Sequence, residues 1–149
     1  MSQMTALPDP YTHEALYRDV PTKRLVAWFV DLLVIALLTA VMVPFTLFTA
    51  LWYLPFLALL ISFLYRWVTI ARGSATLGMR FTAIELRGPD GGPLDSGQAL
   101  LHTLGYHVSM AVFPLQLLSI ALMLMSERKQ GLTDHLLGTA ALNRVASPA

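Results

Sequence analysis

The chain has 149 residues, of which 56% are hydrophobic and 13% are charged, and its formal net charge is +1. A mean hydropathy of +0.61 is too high for a soluble domain of this length and indicates a protein of the lipid bilayer. The small net charge excludes a broad basic surface for nucleic acid. The chain contains no cysteine, which excludes disulfides, thiolate catalysis and cysteine-bound metal centres.

Residues 1–22 predict a short extended arm on the cytoplasmic side. They are polar and contain several prolines, without the apolar core of a secretory signal, so we expect no cleaved leader. From residue 25 to residue 65 the only charged side chain is Asp31. This apolar run is too long for one membrane span and fits two. We therefore predict helices over about 23–43 and about 55–71.

Residues 72–97 form the only sizeable polar connection, which we place in the cytoplasm. Within it, residues 80–87 alternate in polarity and precede the turn-forming run GPDGGP. This pattern predicts a short cytoplasmic β-hairpin. Asp95 or Ser96 then begins the next helix, because Gln98 follows Asp95 by three residues as in a capping box.

The third apolar block, about residues 98–126, is longer than one span needs and is interrupted at Pro114. Proline removes a backbone hydrogen bond and clashes with the preceding turn, so the block is either one kinked helix or two shorter pieces that turn back. All ten Lys and Arg residues lie outside the first connection. The positive-inside rule then places the arm, the second connection and the tail together in the cytoplasm. This favours a broken block that returns, followed by an amphipathic segment over 127–145.

These patterns predict an all-α multi-pass membrane protein. The fold is a small helical bundle of three apolar blocks, the third broken at Pro114, with a short cytoplasmic β-hairpin. We expect one membrane domain over residues 23–145, preceded by the arm.

Asp31 lies in the middle of the first predicted helix. A carboxylate at the centre of a membrane helix costs about 2.5 to 3.5 kcal/mol on insertion scales, so it normally faces protein or water and has a partner. Arg24 lies two turns earlier on nearly the same face, about 10 Å away along the axis, which is too far for a direct ion pair. Arg66 falls near the end of the second helix, where a side chain that reaches the interface is favoured over a functional charge.

Asp134 lies in a polar segment after the third block. It either caps a short helix or returns to pair with Arg24. The histidines lack metal-ligand spacing, since His102 and His107 are five residues apart and diverge on a helix, so we expect no metal site. No nucleophile with an adjacent base is visible, and we expect neither an enzyme nor a cofactor.

Arg24 at the head of the first helix, Asp31 in its middle and Asp134 in KQGLTDHLLGT together form a pattern of one arginine and two aspartates. With SATLGMRFTAIEL and DGGPLDSGQALL, the chain resembles the RDD family of small bacterial membrane proteins over about residues 18–145. Many members carry an arginine where His102 stands here, so the role of a cation at that position is pH-dependent or absent.

The resemblance implies a small bundle in the bacterial inner membrane with the N-terminus in the cytoplasm. It also implies transport of ligands that are undefined for most members, with cation/proton antiport suggested for some. We therefore predict movement of small cations or solutes, with Asp31 as the ionisable centre, Arg24 adjusting its charge state and Asp134 as a cytoplasmic partner. Because so few helices cannot enclose a path alone, this function needs a homo-oligomer.

The alternative function is a non-transporting membrane scaffold or assembly factor. In that case Arg24, Asp31 and Asp134 set helix packing, and the hairpin docks a partner. Arg66, Arg80 and His102 are secondary candidates for the polar site. The expected partners are the lipid bilayer, further copies of the chain and a monovalent cation or proton, and not nucleic acid.

Overall fold

The computed structural model describes residues 5–144. Within this range the chain is mostly helical, with one two-stranded sheet. The elements follow in the order α1 (Glu14–Tyr17), α2 (Val20–Phe45), a 3-10 turn (Thr49–Trp52), α3 (Leu54–Gly73), α4 (Leu77–Phe81), β1 (Ile84–Arg87), α5 (Ser96–Ala111), α6 (Phe113–Met125), α7 (Leu132–Leu137) and β2 (Ala140–Asn143).

Two segments of the described chain are helical, long and apolar enough to cross a membrane. They are Glu14–Phe45, which contains α2, and α3. Each long helix has a proline in its first turn, Pro21 in α2 and Pro55 in α3, where the missing N–H breaks no helical hydrogen bond. The connection between them carries no charge and exposes Trp52. The first two predicted helices therefore lie where they were expected, with slightly longer bounds.

The third apolar block is broken. α5 and α6 meet at Val112 with a bend of 117°, so the described chain has two candidate spans, or up to three if this bent pair is one. Pro114 lies in the first turn of α6, so it begins a new helix and does not kink an existing one. At 1.5 Å per residue, the 16 residues of α5 extend about 24 Å and the 13 residues of α6 about 20 Å.

The predicted capping box at the start of α5 is confirmed. The Asp95 carboxylate accepts a hydrogen bond from the Gln98 backbone N–H at 2.8 Å, and the Gln98 side chain accepts from the Asp95 N–H at 3.1 Å. Two backbone N–H groups near this helix end are thereby satisfied.

The predicted β-hairpin is wrong. β1 pairs antiparallel with β2, so that Ile84 faces Asn143, and the GPDGGP run leads into α5 without forming a second strand. The residues before β1 are helical because the Thr76 hydroxyl accepts from the Met79 N–H and caps α4. Arg80 and its neighbour therefore belong to α4, and only the second half of the alternating run is a strand.

The predicted extended arm is also only partly correct. Its described part contains α1, and α2 begins at Val20, inside the segment that was expected to be extended. Tyr17 is buried, and its hydroxyl donates to the Pro8 carbonyl at 2.7 Å. Asn143 in β2 donates to the carbonyls of Ala15 and Arg18, both at 2.8 Å. The arm is thus part of the packed structure.

The elements α1, α4, α7, β1 and β2 lie at the end of the bundle where α2 begins and α3 ends, and we call them the basal layer. Val20, Ile70, Ile84 and Leu86 form the centre of its apolar core and are at most 2% exposed. By contrast, α2, α3 and α6 expose many large apolar side chains, as expected for surfaces that contact lipid.

Candidate functional site

Asp31 is buried in α2, and both of its carboxylate oxygens accept hydrogen bonds. Oδ1 accepts from the Tyr65 hydroxyl at 2.6 Å and from the Gly78 N–H at 2.9 Å. Oδ2 accepts from the Thr76 hydroxyl at 2.7 Å. Since these donors come from α3 and α4, the carboxylate ties the basal layer to both long helices. We call this group the Asp31 cluster.

Gly78 lets α4 approach the backbone of α2. A Cβ atom at this position would lie 2.1 Å from the carbonyl oxygen of Ala27 and 2.8 Å from the Asp31 carboxylate. Neither distance is compatible with a side chain, so glycine is needed for the N–H of residue 78 to reach Asp31. On the α2 side of this contact the residue is Ala27, whose side chain is small.

Arg66, and not Arg24, is the basic residue beside Asp31. Arg66 Nη1 lies 3.8 Å from Asp31 Oδ2, its Nη2 donates to the Tyr106 hydroxyl at 3.2 Å, and its guanidinium carbon is 3.9 Å from the centre of the Tyr106 ring. Trp28 Nε1 donates to the same hydroxyl at 2.7 Å. The expectation that Arg66 reaches for the interface is therefore wrong, because its side chain is 94% buried between helices.

The Asp134 carboxylate accepts hydrogen bonds from a second set of donors. Its Oδ2 accepts from Arg24 Nη1 at 2.5 Å and from the Gly131 N–H at 3.1 Å, and its Oδ1 accepts from His102 Nε2 at 3.0 Å and from the Thr139 hydroxyl at 2.7 Å. The structure has both arrangements considered for Asp134: it returns to Arg24, and it caps α7 by accepting from the N–H of the N-cap residue Gly131. This Asp134 cluster joins α2, α5 and α7.

The Asp134 carboxyl is fully buried, and burial alone would raise its pKa. The positive charge of Arg24 and the hydrogen bond from His102 outweigh that effect and hold the pKa of Asp134 well below its usual range. Asp134 is therefore charged at neutral pH, and the Arg24 ion pair is maintained.

Arg80 does not join either cluster. It is exposed, and its guanidinium lies against Gly73, where a Cβ atom would be 2.3 Å from Nη2. Within residues 5–144 it forms no ion pair. Sequence reasoning also missed Tyr65, Tyr106 and Thr139, since hydroxyl groups are common in apolar helices and carry no spacing signal. Thr76 was not singled out either, although it lies within SATLGMRFTAIEL.

A cavity of about 520 Å³ lies between α2 on one side and α5, α6 and α7 on the other. Its polar wall contains the carboxylates of both clusters, Asp31 and Asp134, and most of the remaining wall is apolar. The charged or ionisable lining residues are Arg24, Asp31, Arg66, His102 and Asp134. The two carboxylates and their basic partners thus surround one space.

A family model for the RDD family matches residues 19–138, which is most of the chain. The chain belongs to the RDD family. No curated protein and no solved structure matches it. The matched region contains Arg24, Asp31 and Asp134 and all of the donors to the two carboxylates except Thr139, so the arginine and the two aspartates on which the resemblance rests are residues of the cavity wall.

Within residues 5–144 no group of three or more His, Asp or Glu side chains is arranged to hold a metal ion. The carboxylates of Asp31 and Asp134 face hydroxyl, amide and basic donors. The arrangement can therefore stabilise negative charge on the two carboxylates.

Proposed function

We propose that this RDD protein is a multi-pass protein of the bacterial inner membrane that admits a small solute or cation to its internal cavity and moves it between the two sides of the membrane. The observation that carries the proposal is the cavity of about 520 Å³, with two carboxylates and three basic side chains in its wall. Buried ionisable residues at membrane depth commonly mark a substrate or ion path. We propose no enzymatic activity.

The distribution of positive charge supports an orientation with the N-terminus in the cytoplasm. The arm, α4 and β1 carry Lys or Arg side chains at the basal end, whereas the connection after α2 carries none. The positive-inside rule assigns the basal layer to the cytoplasm. A bundle with two or three candidate spans has too few helices to enclose a complete path, so we propose a homo-oligomer.

Asp31 is the proposed ionisable centre, and its surroundings restrict how it can act. Direct coordination of a cation would require its oxygens to exchange the donors Tyr65, Thr76 or Gly78. Such an exchange would release α4 from α2, which would couple ion binding to a movement of the basal layer. Arg24 and Asp134 act in this proposal as a second, separate pair at the cytoplasmic end of the cavity.

A scaffold or assembly role is the second candidate. It is favoured by the occupancy of the two carboxylates, because each accepts hydrogen bonds on both oxygens and joins at least two helices. In that case the clusters set helix packing, and the exposed basal layer docks a partner.

Labelling of single cysteines separates the two candidates, since the chain has no native cysteine. Gln116 lines the cavity on α6, whereas the next residue, Leu117, is 53% exposed and is not part of the cavity wall. For a transporter we expect a membrane-impermeant maleimide to modify Gln116→Cys from either face, in right-side-out and inside-out vesicles, and to spare Leu117→Cys. Modification of Gln116→Cys from one face only would reject transport and favour the scaffold.

A flux measurement tests the role of Asp31. Purified protein is placed in vesicles loaded with the pH-sensitive dye pyranine, and Na⁺ or K⁺ is added outside. If Asp31 is the ionisable centre, Asp31→Asn should abolish the proton signal of the parental protein when the signal is normalised to the amount of inserted, folded protein. A parental rate in the Asp31→Asn protein would remove Asp31 from the mechanism.

A further inference from the structure

Two donors in the cavity wall are buried and have no hydrogen-bond partner among residues 5–144. They are Nε of Arg66 and the hydroxyl of Thr103. The Arg66 side chain is 6% exposed and Thr103 is fully buried, and both residues line the cavity. Buried polar groups in folded proteins nearly always have a partner. A pair of such donors around one cavity indicates that the cavity receives a hydrogen-bond acceptor.

Asp31 does not accept a hydrogen bond from Arg66, because Arg66 Nη1 lies 3.8 Å from Asp31 Oδ2. Its Oδ1 is occupied by Tyr65 and Gly78, and its Oδ2 accepts from Thr76. Arg66 therefore keeps a charge contact with Asp31 at 3.8 Å and a single hydrogen bond, to the Tyr106 hydroxyl. A guanidinium has five N–H donors, so most of its hydrogen-bonding capacity remains unused.

The rest of the cavity wall is suited to an apolar chain. Met79, Met110 and Met123 line it together with Leu25 and Ile120. Methionine is unbranched and adapts its shape to irregular apolar groups. The volume of about 520 Å³ lies within the range of about 300 to 1,000 Å³ that is typical of sites for small organic ligands.

We propose that the cavity binds an amphiphile with one carboxylate head group and one apolar chain, and that the carboxylate accepts hydrogen bonds from Arg66 and Thr103. This inference rests on the proposed function and names the class of its solute. A planar carboxylate matches the fork of a guanidinium and accepts charge-assisted hydrogen bonds from it. A cationic head group would find the carboxylates of Asp31 and Asp134 already engaged.

The charged side chains of the wall are two arginines and two carboxylates. Arg24 and Arg66 balance Asp31 and Asp134, so a bound carboxylate adds one negative charge to a neutral set. His102 lies in the same wall, with its Nε2 3.0 Å from Asp134 Oδ1.

Dodecanoate is a suitable probe, and its binding can be measured by calorimetry on the full chain in phosphatidylcholine nanodiscs. We expect saturable binding that dodecyltrimethylammonium and dodecanol do not displace. Thr103→Val keeps the size of the side chain and removes the unpaired hydroxyl, and it should weaken dodecanoate binding about tenfold, which is the loss of one hydrogen bond to a charged group. Arg66→Lys keeps the charge and removes the fork, and it should also weaken binding.

Thr39→Val is the matched control. Thr39 is buried on α2, its hydroxyl donates to the Ile35 carbonyl at 2.7 Å, and it does not line the cavity. Dodecanoate affinity should be unchanged in this variant. The thermal midpoint of Thr103→Val should not fall, because its hydroxyl has no partner to lose, so weaker binding is not explained by unfolding.

Three results would overturn the proposal. One is an affinity of Thr103→Val for dodecanoate equal to that of the parental protein. Another is displacement of dodecanoate by dodecanol as effective as its displacement by a second carboxylate. The third is loss of dodecanoate binding in phosphatidylglycerol nanodiscs, which would assign the donors to the head group of an anionic lipid. Each of these leaves labelling of Gln116→Cys from both faces unaffected, so failure of the ligand class is distinguishable from failure of the transport proposal.

Discussion

Replacing Asp31 with asparagine removes its charge and nearly preserves its size. The amide oxygen can still accept hydrogen bonds from Tyr65 and Gly78, but the amide nitrogen is a donor and faces the Thr76 hydroxyl, which donates in the parental protein. Arg66 at the same time loses the carboxylate 3.8 Å from its Nη1. Breaking a buried ion pair by removing one member typically costs about 3 to 5 kcal/mol, and we expect the free energy of unfolding to fall by that amount.

Chemical unfolding in detergent micelles, followed by the fluorescence of the three tryptophans, measures this loss. Asp95→Asn is the control, since asparagine caps a helix as well as aspartate does, and it should change the free energy of unfolding by less than about 0.5 kcal/mol. Double-mutant cycles then identify the partner. Asp31→Asn should couple with Arg66→Met by about 1 to 3 kcal/mol and should be additive with Arg24→Gln within about 0.5 kcal/mol, since Arg24 pairs with Asp134.

The opposite outcome would refute the assignment of partners. If Asp31→Asn is additive with Arg66→Met and coupled to Arg24→Gln, the carboxylate belongs to Arg24, as its position on the same helix face suggests. A loss below about 1 kcal/mol in Asp31→Asn alone would show that the three hydrogen-bond donors, and not the charge, make up the contribution of the Asp31 cluster.

Three further predictions concern topology, packing and pH. In intact cells, an impermeant thiol reagent should label Thr49→Cys and spare Asn143→Cys, and ready labelling of the latter would place the basal layer outside. Gly78→Ala should lower the free energy of unfolding by about 1 to 3 kcal/mol, because its Cβ atom would lie 2.1 Å from the backbone oxygen of Ala27. Gly97→Ala is the control, since its Cβ atom would lie 3.4 Å from the nearest atom, and it should leave the free energy of unfolding unchanged in the same assay. Folding lowers the pKa of Asp134, so its contribution to stability is complete above about pH 5 and is lost as the pH falls below the unfolded pKa of about 3.9. The difference in the free energy of unfolding between the parental protein and Asp134→Asn should therefore shrink in acid. A difference that does not change with pH would contradict the ion pair.

The helices could be predicted from the sequence because their signal is local. Hydropathy placed α2 and α3 correctly, and the spacing of Asp95 and Gln98 placed the start of α5. The partner of β1 could not be predicted in this way. Alternation in residues 84–87 indicates a strand but does not specify what it pairs with, and β2 is a four-residue strand whose AALN sequence does not alternate.

The polar site shows the same limit. The RDD pattern identifies Arg24, Asp31 and Asp134, but sequence spacing suggested that Arg24 and Asp31 act together, whereas each pairs with a residue from another helix. Arg66 was assigned to the interface because it lies near a helix end, although the direction of its side chain depends on Tyr106 in α5. A backbone donor such as the Gly78 N–H cannot be recognised from the sequence, because nearly every residue has a backbone N–H.

The two clusters are completed at different times during synthesis. The donors of Asp31 follow it by 34 to 47 residues, so its contacts with α3 and α4 can form soon after the second long helix has been made. Arg24 must wait for a residue 110 positions later. Until then Arg24 lacks the carboxylate of Asp134, and the cavity lacks one wall. The last closures of the fold are therefore the docking of α7 and the pairing of β2, which follows it, with β1, and these steps limit how early a nascent chain can reach its final form.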